Sequence, residues 1–206
     1  MTVNITTLGE LIKESHECAL QHGWWDNIKP KPILEKIALI HSELSEALEE
    51  LRKGQTPTAV YHEEGETKMY VPYYPMGKHK PEGVPVELAD AVIRVADLAG
   101  RYEFDLGNPD FKISNSQLYS AQEIEEHKKW AGDPIDGIDY LHNLLTPASR
   151  AMRDGSGLVR LSGELGFFVL GIYAYCMVHS IDLPGAINMK CEYNRSRSYR
   201  HGGKSA

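Results

Sequence analysis

The chain has 206 residues, of which 42% are hydrophobic and 25% are charged, and its formal net charge is −7. These values are ordinary for a globular protein long enough to bury a core, as one domain or two small ones. The acidic balance argues against nucleic acid as the main partner.

The cysteines and the apolar runs indicate in which cellular compartment the protein is expected. Cys18, Cys176 and Cys191 are odd in number and widely separated, which fits neither a disulfide framework nor a zinc-binding spacing. They favour a reducing compartment, so we expect a cytoplasmic protein. The N-terminus lacks a basic region followed by an apolar core, so no signal peptide is predicted. The longest apolar run, 165–178, is too short to span a bilayer, and it predicts a buried helix with no membrane contact.

The first predicted helix starts after Thr7 and runs to about His22. Glu10 stands three residues after Thr7, which completes a capping box. The paired tryptophans Trp24 and Trp25 follow the helix, and such pairs are core anchors more often than ligand contacts.

The second predicted helix, 35–51, carries an apolar stripe and an acidic stripe side by side. Apolar residues recur at steps of three and four, as in an amphipathic helix, at Ile37, Ile40, Leu44, Ala47, Leu48 and Leu51. Glu43, Glu46 and Glu50 fall on an arc about 60° wide beside that stripe. Like charges crowded on one face are destabilising unless a positive group lies there, although a solvated acidic face is the simpler interpretation of this helix alone.

The third predicted helix, 85–99, has the same two stripes. Its apolar stripe consists of Leu88, Val92, Val95 and Ala99, and its polar stripe consists of Glu87, Asp90, Arg94 and Asp97. If the two helices pack together, four carboxylates converge, those of Glu43, Glu46, Glu87 and Asp90. Hard divalent cations prefer oxygen ligands and high negative charge, so we predict that these four residues bind such a cation.

A long irregular link, 55–85, joins the two acidic helices. Its segment 69–74 predicts a short strand or one arm of a hairpin. Links of this length inside a compact domain are usually functional or mobile. The link is therefore either a lid that brings Lys68, Lys78 or Lys80 to a ligand or a surface embellishment. Farther along, a helix is predicted around 120–130.

The second half of the chain resembles the two acidic helices without most of their charges. Residues 138–155 align with the helix that ends at Gly54, and 163–183 align with 86–106. In this register Glu43 aligns with Leu144, Glu46 with Pro147, Asp90 with Phe167 and Glu87 with Glu164. Of the four predicted metal-site positions, only that of Glu87 therefore keeps a carboxylate in the second half. We interpret the second half as a degenerate copy of the first. Coincidence is the alternative, because any two helical pairs align loosely.

If the second half is such a copy, the chain consists of a metal-binding unit, 1–106, and a degenerate unit, 107–206, unless both fold as one compact domain. Leu144 and Phe167 should be buried where the first unit has its carboxylates. A helix should start or kink at Pro147, because proline has no backbone N–H to donate within a helix.

Several motifs resemble those of one protein family. Glu43-Leu-Ser-Glu46 and Glu87-Leu-Ala-Asp90 are the two acidic motifs, and residues 190–204 read Lys-x-x-Tyr-Asn-x-x-Arg and end in His-Gly-Gly-Lys. Together with the tryptophan segment 23–26, they are similar to motifs of the MazG-like, all-α nucleoside triphosphate pyrophosphatases. Relatives of that family include dimeric dUTPases and dCTP pyrophosphatases. The long link departs from the family, which usually joins its acidic motifs by a shorter segment.

The resemblance implies an all-α helical bundle, a dimer, and hydrolysis of a nucleoside triphosphate to the monophosphate and pyrophosphate. It implies Mg²⁺, which Mn²⁺ can replace, with a catalytic and metal-binding set of Glu43, Glu46, Glu87 and Asp90. It further implies a substrate-binding set, with Trp25 stacked on the base, Asp97 at the sugar or base, and Lys190, Asn194 and Arg197 at the phosphates and sugar.

Other interpretations stay open. The chain could be a catalytically weak regulator or scaffold that binds nucleotides, Asp97 could simply pair with Arg94, and the basic C-terminus could be a solvated tail. Two enzyme classes are excluded, because the sequence has neither a Gly-x-x-x-x-Gly-Lys-Ser/Thr loop nor the Glu-x-x-His motif of di-iron bundles.

Overall fold

Helices make up most of the residues that a computed structural model describes, which are 4–26, 33–71, 79–114 and 119–200. In chain order the elements are α1 Leu8–Gln21, α2 Ile33–Arg52, β1 Tyr61–Glu64, β2 Thr67–Tyr70, α3 Val84–Tyr102, α4 Ala121–Ala131, α5 Pro134–Arg153, α6 Gly157–Val178 and α7 Leu183–Ser196. The predicted all-α class is confirmed, with one two-stranded antiparallel hairpin as its β-structure within the described ranges.

Local capping signals set the starts of several helices. Thr7 and Glu10 form the predicted capping box of α1, and Ser120 and Glu123 form a second one that starts α4. Asp182 caps α7 by accepting a hydrogen bond from the N–H of Gly185 at 3.0 Å. The helices predicted over 7–22 and around 120–130 are therefore confirmed.

Four helices form the centre of the fold. The helix α2 packs against α3 and α5, and α6 packs against α5 and α3, so that the four close a bundle. The helices α1 and α7 pack against α3, and α4 packs against α5 and α6. The buried apolar side chains of both halves of the chain belong to one contiguous core, which includes Leu44, Val92, Leu145 and Ile172.

The helices α2 and α5 correspond residue by residue in the predicted register. Both have 20 residues, and both ends of α5 lie 101 positions after those of α2. Most of the same positions are buried in both helices, as in the pairs Ile37 with Ile138, Ile40 with Leu141, Leu44 with Leu145, and Ala47 with Ala148. The correspondence of α2 and α5 therefore extends from sequence to burial.

Two expectations for the second half are wrong in detail. Phe167 is 59% exposed instead of buried, and Leu144 is only partly buried against the core. The helix α5 does not start at Pro147 but runs through it from Pro134 to Arg153, so that of the predicted start or kink only the kink stays a prediction. The hydroxyl of Thr146 donates to the carbonyl of His142 at 2.9 Å in the turn before this proline.

The helix α6 is longer than the apolar run that predicts it. It begins at Gly157 and has 22 residues, so it is long and apolar enough to cross a membrane by length and composition. The expectation that 165–178 is too short for a bilayer therefore holds for that run but not for the whole helix. However, 61% of its most apolar stretch is buried inside the protein, as in a helix that belongs to a core.

The hairpin lies in the link between the acidic helices, and β2 covers the first two residues of the strand or hairpin arm predicted over 69–74, of which 72–74 lie outside the described residues. Tyr61 pairs with Tyr70 across the two strands, and its buried hydroxyl donates to Glu50 of α2 at 2.7 Å. On its other side Tyr61 exchanges two backbone hydrogen bonds with Glu82, of 3.1 and 2.8 Å. These bonds tie the hairpin to α2 and to the start of α3.

Candidate metal and nucleotide site

A cavity of about 380 Å³ lies between α1, α2, α3 and α7. Eight of the nine residues predicted for the metal and substrate sites line it, namely Glu43, Glu46, Glu87, Asp90, Asp97, Lys190, Asn194 and Arg197. The acidic residues reach the cavity because each pair stands one helical turn apart beside the apolar stripe of α2 or α3. Packing those two stripes against each other brings both acidic faces to one side.

Three of the four predicted metal ligands form a tight group. One carboxylate oxygen each from Glu43, Glu46 and Glu87 lies within 4.8 Å of the other two. Glu43 is 4% exposed and Glu87 is 3% exposed, whereas Glu46 is exposed at the mouth of the group. Such a cluster of oxygen ligands, with one side open, fits Mg²⁺ or Mn²⁺.

Burial and mutual repulsion make the two inner carboxylates hard to ionise. Burial raises the pKa of Glu87 to about 9, which Lys190 opposes and the carboxylates of Asp90, Glu43 and Glu46 reinforce. Burial likewise raises the pKa of Glu43 to about 7 against the opposing charge of Arg94. Packed carboxylates of this kind need positive charge close by, and the chemistry of the ligands therefore fits a divalent cation.

Two cations of the chain already contact the predicted metal ligands. Arg94 Nε lies 2.6 Å from Glu43 Oε1, and Lys190 Nζ lies 2.6 Å from Asp90 Oδ2. Lys190 is 3% exposed. Burial by itself would lower the pKa of Lys190, but Asp90 and Glu87 outweigh it and the pKa is raised. Asp90 is thus held by a buried ion pair and stands outside the group of three.

The basic C-terminal segment is a packed helix up to Ser196. The helix α7 buries Met189, Lys190 and Cys191 against α3 and α1, and its cavity side carries Asn194 and then Arg197 at its C-cap. The alternative of a solvated tail is therefore wrong for this helix. The ending His-Gly-Gly-Lys, 201–204, lies outside the described residues.

The two tryptophans have different surroundings. Trp24 lines the cavity, whereas Trp25, the residue predicted to stack on a base, is not among the described residues that line it. The indole N–H of Trp25 donates to Asp97 at 2.9 Å, and the ammonium of Lys36 lies 4.5 Å from the centre of its ring. Trp25 is partly buried and packs against the core, as an anchor would.

Asp97 has partners other than the predicted Arg94. Its Oδ1 lies 2.9 Å from Nδ1 of His16 and accepts the hydrogen bond of Trp25 at the same distance. This network fixes one carboxylate at the cavity wall between α1 and α3. Asp97 therefore lines the cavity with a set orientation.

Two further lysines line the cavity. Lys36 is buried at the start of α2, and Lys80 forms an ion pair of 2.6 Å with Glu82 at the end of the link. Of the lysines considered for a lid, Lys80 reaches the cavity, Lys68 lies over the ring of Tyr61 at 4.2 Å, and Lys78 falls outside the described residues. Lys36 had no signal in the sequence, so only spatial proximity identifies it.

Comparison of this chain with known protein families, with curated proteins and with solved structures finds no match.

Proposed function

We propose that the protein is a divalent-cation-dependent nucleoside triphosphate pyrophosphohydrolase. The proposal rests on one observation: three convergent carboxylates of α2 and α3 share a cavity with basic and amide groups of α7. A polyanionic triphosphate needs both, because an acidic protein without cations would repel it. The sequence resemblance to MazG-like enzymes points to the same reaction and to a MazG-like form of the helical bundle.

The reaction would be attack of water on the α-phosphorus. The bond between that phosphorus and the oxygen bridging to the β-phosphate breaks, and pyrophosphate leaves. Glu43, Glu46 and Glu87 would hold Mg²⁺ or Mn²⁺, which supplies positive charge to the phosphates and lowers the pKa of the attacking water. Arg197 and Asn194 would donate to the phosphates and sugar, since guanidinium groups suit phosphate oxygens.

Lys190 would act mainly by positioning. Its ammonium is nearly inaccessible and already paired with Asp90, so it would hold that carboxylate in place and lend charge to the cluster. Asp90 would then orient the cluster from its edge. This role differs from direct phosphate contact, which the motif alone implies for Lys190.

We also propose that α5 and α6 are a degenerate copy of α2 and α3. The support is the common length and burial pattern of α2 and α5 at a constant separation of 101 residues. The position equivalent to Glu43 is Leu144 and the position equivalent to Glu46 is Pro147, so the copy retains the packing residues and lacks the acidic pair.

The direct test is release of pyrophosphate from a panel of ribo- and deoxyribonucleoside triphosphates. We expect turnover with Mg²⁺ or Mn²⁺, none with a chelator, and the monophosphate as the second product. Release of inorganic phosphate alone would contradict cleavage at the α-phosphorus. Nucleotide binding without any turnover would favour the alternative, a regulatory or scaffold protein whose ion pairs between Glu43 and Arg94 and between Asp90 and Lys190 serve stability.

A further inference from the structure

A second group of ligand-type side chains lies on the hairpin, away from the cavity. His62 and Glu64 stand two residues apart on β1, so both point to one face of the strand. His79, at the end of the link, meets the same face. The Nε2 atoms of His62 and His79 lie 3.1 and 4.0 Å from Oε1 of Glu64, and the two imidazole centroids are 4.4 Å apart.

The three side chains can present one ligand atom each to a single ion. Those atoms lie within 4.8 Å of one another. The side chain of His62 is 12% exposed, whereas those of His79 and Glu64 are 52% and 54% exposed. The group is therefore shielded from solvent on the side of His62 and open to solvent on the other side. Two imidazoles and one carboxylate, with a position left for water, are a frequent ligand set for Zn²⁺.

One nitrogen atom of this group lacks a hydrogen-bond partner within the described residues. The Nδ1 atom of His62 is buried and has no hydrogen-bond partner there, although buried polar atoms normally have one. The two imidazoles are tilted by 32° to each other, and the carboxylate of Glu64 lies near Nε2 of both. An ion bound through Nδ1 of His62 would give that atom its missing partner.

The ligand chemistry separates this group from the central cluster. Glu43, Glu46 and Glu87 offer oxygen atoms only, which suit Mg²⁺ and Mn²⁺, whereas imidazole nitrogen favours Zn²⁺, Ni²⁺ or Cu²⁺. We propose that His62, Glu64 and His79 form a binding site for a transition-metal ion of the Zn²⁺ class. The bound ion would connect β1 to His79, near the end of the link that leads into α3.

The proposed metal site lies next to the part of the link that reaches the cavity. His79 directly precedes Lys80, which lines the cavity, and Glu82 hydrogen-bonds to the backbone of β1. A two-stranded hairpin of this size is marginally stable in water by itself. Bound metal would therefore order residues 79–82 and the position of Lys80, independently of whether the central site is an enzyme.

Titration of the metal-stripped full-length chain with Zn²⁺, followed by calorimetry, tests this site, and Co²⁺ absorption reports its ligands. With Mg²⁺ in excess to occupy the central carboxylates, we expect one equivalent of Zn²⁺ to bind to the wild type and to Glu46→Gln, which alters only the central cluster. His79→Ala and Glu64→Gln should each weaken Zn²⁺ binding at least about tenfold. Glu66→Gln, an exposed glutamate on the same hairpin, is the matched control and should bind like the wild type.

Two results would overturn the proposal. Unchanged Zn²⁺ affinity in His79→Ala would mean that the hairpin does not hold the ion. Loss of binding in Glu46→Gln together with retention in Glu64→Gln would assign the ion to the central cluster. His79 is half exposed, so its replacement should leave the fold intact, and circular dichroism of the variant checks this point.

Discussion

The imidazole of His41 on α2 lies in one plane with that of His142 on α5, and the Nδ1 atoms of the two rings share a hydrogen bond. The ring planes are 4° apart, the centroids are separated by 5.2 Å, and the two Nδ1 atoms are 2.9 Å apart. The two residues are 101 positions apart, the same separation as the starts of α2 and α5. When two like units pair around a two-fold axis, equivalent residues near the axis contact each other. This contact therefore supports the proposed internal copy.

The histidine pair predicts a pH dependence of stability. Burial lowers the pKa of His142, against the opposing effect of Asp139, and burial together with its partner lowers that of His41. As the pH falls, the unfolded chain takes up protons before the folded chain does. The contribution of the pair to stability is therefore present above the unfolded pKa of about 6.5 and is lost as the pH falls from there through the lowered pKa values of the folded protein.

Replacement of His142 isolates this effect. We expect His142→Gln to lose less unfolding free energy than the wild type between pH 7.5 and pH 5.5, measured by urea denaturation in the presence of a chelator. The carboxylates of the central cluster are present in both proteins, so their titration cancels in the comparison. Equal losses in both proteins would contradict the prediction.

Glu46→Gln tests the metal cluster without a large cost in folding. Glu46 is exposed and accepts one hydrogen bond of 3.3 Å from Ser42, so its replacement leaves no buried group unpaired. We expect pyrophosphate release to fall by at least roughly 100-fold, because one metal ligand is lost. The melting temperature without metal should stay close to that of the wild type, while its increase with Mn²⁺ should shrink.

Lys190→Met should reduce stability. The change removes one partner of a buried ion pair and leaves Asp90 without its cation, which costs roughly 3 kcal/mol of unfolding free energy. The double variant Lys190→Met with Asp90→Leu replaces the pair by apolar groups and should recover most of that loss without recovering activity. Urea denaturation measures both, and a loss of under about 1 kcal/mol in the single variant would argue against a buried pair.

Arg197→Ala separates substrate binding from folding. Arg197 lines the cavity at the C-cap of α7, whereas Arg195, two residues earlier, forms an ion pair with Glu14 of α1. We expect Arg197→Ala to raise KM at least about tenfold with little change in stability, because a charged hydrogen bond to phosphate is lost.

Arg195→Ala is the matched control. It removes the same charge from the same helix end and should leave KM close to the wild-type value, with a stability loss of about 1 kcal/mol or less. If both variants raise KM equally, the effect is one of general charge, and the assignment of Arg197 to the substrate is wrong.

The sequence by itself determined the local features of this protein. The capping residues Thr7 and Ser120 set helix starts, and the apolar and acidic stripes of α2 and α3 specified which faces would be buried together. The alignment of the second half predicted the separation that α2 and α5 have. These signals act within one or two helical turns or repeat at a fixed period, so they can be recognised along the chain.

Only the tertiary structure decided how distant side chains share space. The sequence contains both Trp24 and Trp25, but only the folded chain shows that Trp24 lines the cavity and that Trp25 bonds to Asp97. Lys190 meets Asp90 because α7 packs on α3, and Phe167 lies at the surface because no element covers that face of α6 within the described residues. Contacts across 100 residues depend on the packing of whole helices against one another, and no local pattern carries that information.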